Sequence, residues 1–71
     1  MGMYKEIKHL EDQMFNTLDA AYKALEYRQM DKYKLYLATL EMLNDDYKSI
    51  THVDFITKER ILSLYEKMWA I

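Results

Sequence analysis

Apolar side chains recur along this chain at steps of three and four, the spacing that gathers residues on one side of an α-helix. In the first segment the stripe is Met3, Ile7, Leu10, Met14, Leu18, Ala21 and Leu25, with Tyr4, Phe15 and Tyr22 set to one side of it. The pattern predicts a first helix over about 3–28, with a buried face broad enough to need two neighbours. A second helix is expected over about 32–47. Asp31 is placed to cap it, and Met30 and Leu35 have the spacing of a hydrophobic staple. Its main stripe, Tyr33, Tyr36, Leu40, Leu43, Tyr47 and Ile50, alternates threes and fours as a heptad seam does. A third helix is expected over about 52–70, opened by Thr51 and Asp54 at capping-box spacing and by an Ile50–Phe55 staple. Ile61, Leu64, Tyr65, Met68 and Ile71 form its inner stripe, which Leu62 and Trp69 widen; Trp69 either packs beside Leu62 on the edge of a bundle, which the shared edge with Leu62 and Phe55 favours, or anchors a partner.

Little punctuates this pattern. The chain has no proline, and its one glycine is Gly2, so no residue inside it marks a strand hairpin or a glycine-rich phosphate loop. Helix stops are weak, because neither Gly nor Asn follows Arg28 and Asn44-Asp45-Asp46 is only a moderate break. The expected fold is all-α, a single helical domain over residues 1–71. It is a small three-helix bundle or a helical hairpin that dimerises. In the alternative, helices 1 and 2 fuse into one long helix that needs a partner chain along much of its length.

Composition sharpens the expectation of a dimer. A chain of 71 residues has little core to build, and without cysteine it has neither a disulfide framework nor a thiolate metal site to staple it. Oligomerisation is the remaining remedy, so a homodimer is expected. With 51% hydrophobic and 14% aromatic residues the chain is far from the polar composition that keeps a segment disordered. Its net charge of -2 provides neither the basic face of a nucleic-acid binder nor the acidic excess of a DNA mimic. Its apolar runs are far short of the ~20 residues that span a bilayer, and no basic segment followed by an apolar run opens the chain. The expectation is a cytoplasmic protein with no membrane association.

The feature most suggestive of function lies on helix 2, where Leu35, Ala38 and Met42 form a second apolar stripe opposite Tyr36, Leu40, Leu43 and Tyr47. One helix cannot turn both stripes to water. Either helix 2 is the middle layer between helices 1 and 3, or one stripe meets a second subunit or another protein. Seven tyrosines in so short a chain cannot all be buried with satisfied hydroxyls, and aromatic residues and methionines are favoured at protein interfaces. The residues expected at a partner interface are Tyr27, Met30, Leu35, Ala38, Met42 and Trp69.

Catalysis finds little foothold. Glu6 and His9 have the Glu-x-x-His spacing of di-iron bundles, but such a site needs two pairs and further carboxylates. His52 and Asp54 read as the first turn of helix 3, where a carboxylate complements the helix dipole. No serine stands at a recognisable spacing from a base. No enzyme activity, cofactor or metal is expected. The expected function is a small non-enzymatic protein–protein interaction module, a regulatory adaptor or inhibitor that binds a larger protein of unknown identity through an apolar and aromatic helical face. The alternative is a small DNA-binding transcriptional regulator using helices 2 and 3 as a helix-turn-helix, with Thr57, Lys58 and Arg60 near the start of the recognition helix, although Asp54 and Glu59 interrupt that face.

Overall fold

A computed structural model describes residues 2–69, and in it the chain is all-helical: α1 spans Gly2–Glu26, α2 Met30–Thr51 and α3 Lys58–Glu66. No strand occurs among the described residues. The side chain of Met3 and the whole of Ile71, both placed in inner stripes by the sequence pattern, lie outside the described residues, as does residue 70.

Helices 1 and 2 do not fuse. Arg28 turns into the left-handed region at φ 57, and the chain reverses there. The Arg28 amide donates to the Leu25 carbonyl at 3.0 Å and the Gln29 amide to the Ala24 carbonyl at 2.7 Å, the paired bonds of a Schellman stop. An arginine therefore occupies the position that usually takes glycine, which is why the stop is faint in the sequence. Only three residues separate α1 from α2, so the two helices run antiparallel as a hairpin. Met30 and Asp31 are inside α2, which follows Gln29 with no side-chain cap; Asp31 lies in the first turn, where its charge favours the helix dipole.

The second boundary departs further from expectation. Thr51 ends α2 and does not open α3; its hydroxyl donates back to the Tyr47 carbonyl at 2.9 Å. His52 follows at φ 65 as the left-handed C-cap, so it closes α2 and is not in the first turn of the next helix. Residues 52–57 are irregular, and α3 is capped by Thr57, whose hydroxyl accepts from the Arg60 amide at 3.2 Å. The third helix is thus nine residues long and ends at Glu66, well short of the expected 52–70. Turns carry the chain on through Trp69, with Lys67, Met68 and Trp69 each donating to the carbonyl three residues back.

The core is Met14, Ala21 and Ala24 of α1, Tyr33, Leu37, Leu40 and Tyr47 of α2, Ile56 of the loop, and Ile61 and Leu64 of α3. The α2 members, together with buried Asn44, step by four and three. The heptad seam therefore runs through Leu37 and Asn44, leaving Tyr36 and Leu43 half-buried beside it. α3 lies against this seam and reaches α1 as well. Tyr33 donates its hydroxyl to the Leu64 carbonyl, while Arg60 donates to the Tyr22 hydroxyl at 3.4 Å and Lys67 sits 5.6 Å over the Tyr22 ring.

A polar clamp fixes the loop that delivers α3. Asn44 is only 3% exposed, and its side-chain oxygen accepts from the Phe55 amide at 2.8 Å and the Ile56 amide at 3.2 Å, while its amide nitrogen donates to Asp54 at 3.2 Å. Phe55 is held in the loop, where its ring packs edge-on to Phe15 and Tyr47 at 5.0 and 5.6 Å. Asp54 also lies 3.8 Å from Lys48. Near the open end of the hairpin, Tyr47 donates to Glu11 at 2.8 Å, tying α2 to α1 beyond the reach of α3.

Candidate functional site

Because α3 lies over the Leu37–Asn44 side of α2, it does not cover the opposite stripe. Helix 2 does lie against both α1 and α3, as the middle-layer reading has it, yet its second stripe is not covered: Leu35 is 63% exposed and Met42 68% exposed. Leaving two large apolar side chains of one stripe in water forgoes roughly 1.5–3 kcal/mol of burial each.

Along the outer margin of the α2–α3 contact runs an open groove of about 690 Å³. Ala38 and Met42 line it from α2 and Ile61, Leu62 and Tyr65 from α3. Ala38 has the small side chain that lets another segment approach the backbone closely. Glu41 and Asp45 stand on the α2 wall and Lys58 at the start of α3. The Tyr65 hydroxyl donates to Glu41 at 3.3 Å, bridging the two walls. Burial, with the neighbouring Glu41 carboxylate, raises the Tyr65 pKa, so at neutral pH the phenol is a firm donor.

Of the six residues expected at an interface, the structure brings Ala38 and Met42 into this groove and sets Leu35 two turns before Met42 on the same stripe. Trp69 is 86% exposed and does not pack into the bundle beside Leu62, which is itself exposed. The expected edge packing fails because α3 ends at Glu66, and in the turn that follows it is Met68 that packs against the core while Trp69 faces outward. Leu62 and Tyr65 line the groove from α3, and Trp69 lies beyond the helix, in the turn, outside the groove lining. Tyr27 and Met30 lie elsewhere, in the α1–α2 turn and at the first residue of α2, with Tyr27 exposed and Met30 half-buried. The contributions of Leu62, Tyr65, Glu41 and Asp45 depend on where α3 docks and are not visible from α2 alone.

Glu6 and His9 flank a shallower depression with Leu10, Asp46 and Ile50 between α1 and α2. Among the described residues no group of three or more His, Cys, Asp or Glu side chains could hold a metal ion. No helix among them is long and apolar enough to cross a membrane. No family model, curated protein or solved structure matches the chain.

Proposed function

We propose that this chain is a non-enzymatic, cytoplasmic protein-interaction module, a regulatory adaptor or inhibitor that docks a protein partner on the outer stripe of α2 and the adjoining margin of α3. One observation carries the reading: Met42 on α2 and Leu62 on α3 line one groove and remain exposed, and Leu35 lies exposed on the same stripe of α2, which the third helix does not cover. Apolar anchors surrounded by polar groups are the ordinary composition of a protein interface. A homodimer that buries the stripe against a second copy is one form of the same proposal. The DNA-binding alternative has less support, since Arg60 is engaged with Tyr22 and Lys58 shares its groove with Glu41 and Asp45.

The test is parallel capture from the native host on wild-type chain, Met42→Glu and Leu62→Glu, followed by binding measurements with each captured protein in purified form. A true partner is lost by both variants, each of which retains wild-type helicity. Sedimentation velocity of the same three proteins reads any self-association. A partner bound equally well by all three would refute the proposal.

A further inference from the structure

Resting on that reading of the groove, we infer that its occupant is a basic amphipathic helix of a partner protein, and not a second copy of this chain. Shape is the first argument. The groove lies between two helices, and its apolar lining extends along about one turn of α2 from Ala38 to Met42 and beside Ile61 and Leu62 of α3. A ridge of apolar side chains at helical spacing on a third helix fits such a furrow, with the ridge filling it and the flanks left over the rim.

Charge is the second argument, and it selects the partner. Glu41 and Asp45 line the α2 wall, and Glu59 and Glu66 are exposed on α3 at positions that flank Leu62 on the helical wheel. The lining itself holds two carboxylates, Glu41 and Asp45, against one cation, Lys58, and Glu59 and Glu66 lie outside it on the outer side of Leu62. Asp31 and Lys34, one turn before Leu35 and Ala38, offset each other. The other cations of this helix and its extension, Arg60 and Lys67, are drawn to Tyr22 on the opposite margin. Ion pairs among the described residues join only Lys23 to Asp19 and Lys48 to Asp54, so the groove carboxylates have no cationic partner within 4.0 Å. A second copy docked groove to groove would set this acidic rim against itself, and like charges facing one another weigh against that pairing. Lysine or arginine on the flanks of an inserted helix would meet the rim with opposite sign.

The probes are two capped peptides about four helical turns long, sharing leucines at helical spacing; lysine occupies the remaining positions in one and glutamate in the other. Calorimetric titration of the full chain should show the lysine peptide binding roughly tenfold tighter, the preference expected from a few exposed pairs. That preference should shrink toward unity at about 1 M salt, where screening reaches ~3 Å. It should reverse in the double variant Glu41→Lys, Asp45→Lys, and all binding should weaken in Met42→Gln and Leu62→Gln. Equal affinity for both peptides, still lost in Met42→Gln, would overturn the basic occupant while leaving the groove as a docking site. Binding that neither glutamine variant alters would overturn the groove reading beneath it. Failure of both peptides to bind would overturn the helical occupant. A wild-type dimer that Met42→Gln dissociates and the lysine peptide leaves intact would overturn the inference in favour of a second copy.

Discussion

Asn44→Ala is the substitution that tests most directly how this fold is held. The alanine keeps helix propensity high in the middle of α2, so the local helix should gain slightly. What it removes is the acceptor for the Phe55 and Ile56 amides, 2.8 and 3.2 Å away, and the donor to Asp54. Ile56 is buried, so its amide loses its partner where water cannot readily replace it; the Phe55 amide is only partly covered. Leaving a buried donor unsatisfied costs about 1–3 kcal/mol, and the partly covered one less, for a total of about 2–4 kcal/mol. A domain with roughly 0.05–0.15 kcal/mol of stability per residue can lose much of its total this way.

Urea unfolding followed by far-ultraviolet circular dichroism measures the loss. Asn44→Asp keeps an acceptor for both amides but sets a buried carboxylate about where the amide donated to Asp54, so it should lose stability at neutral pH and regain part of it in acid, where one proton shared by the two carboxyls relieves their repulsion. Amide hydrogen exchange adds a local readout, with protection at Phe55 and Ile56 falling in Asn44→Ala before protection in the α1–α2 core. An Asn44→Ala protein within about 0.5 kcal/mol of wild type, the range of ordinary surface changes, would refute the clamp.

Three further outcomes are expected. Burial raises the pKa of Tyr33 and Tyr65 above 10.0, and a hydrogen bond to Glu11 does so first of all for Tyr47. The protonated form is thus favoured in the fold, so stability is fully present below pH 10.0 and falls as pH rises through the folded-state values; Tyr47→Phe should flatten that alkaline decline, and an unchanged slope would count against the Tyr47 contribution. Arg28→Gly should raise stability by about 0.5–1 kcal/mol, because relief of the left-handed penalty outweighs the extra freedom of the unfolded glycine; a lower urea midpoint would contradict this. Trp69→Ala should leave the melting temperature nearly unchanged, with wild-type fluorescence typical of a water-exposed indole, and a large drop in melting temperature would show that Trp69 packs after all.

The helical class, the count of three and the stripe of α1 are all legible in the sequence because they rest on long runs of regular spacing. The boundaries are not, and each failure has a physical source. The α1 stop is written in backbone geometry at Arg28, a residue with no special preference for φ above zero. The spacing of Thr51 and Asp54 imitates a capping box, yet the cap falls on Thr57, which is followed at the third position by Arg60 and so lacks the reciprocal carboxylate. On α2 the misreading comes from polarity. Asn44 sits in the seam between Leu40 and Tyr47 and breaks the apolar pattern, which makes Tyr36–Leu43 look like the buried row and hides Leu37. The stripe of Leu35, Ala38 and Met42 is plain in the sequence, but whether α3 covers it depends on a tertiary choice.

That choice is made by a few polar contacts and not by apolar area alone. α3, at ~1.5 Å per residue, is too short to wrap the hairpin, so it can cover one side of α2 and must leave another bare. Both sides offer leucine, and burial energy does not distinguish them sharply, because it is nearly proportional to area and has no direction. Direction comes from Asn44, which receives the incoming loop on one side, and from the Tyr33 hydroxyl, which meets the Leu64 carbonyl farther along the same side. On the Leu35–Met42 side Ala38 and Met42 offer no hydrogen-bonding side chain and the polar groups at its margin, Glu41 and Asp45, are exposed carboxylates, so no amide there could accept from the loop and donate to Asp54 as Asn44 does. The buried amide thus does two things through one geometry. It holds the third helix in place, and by doing so it keeps the apolar stripe that the proposed partner needs facing water.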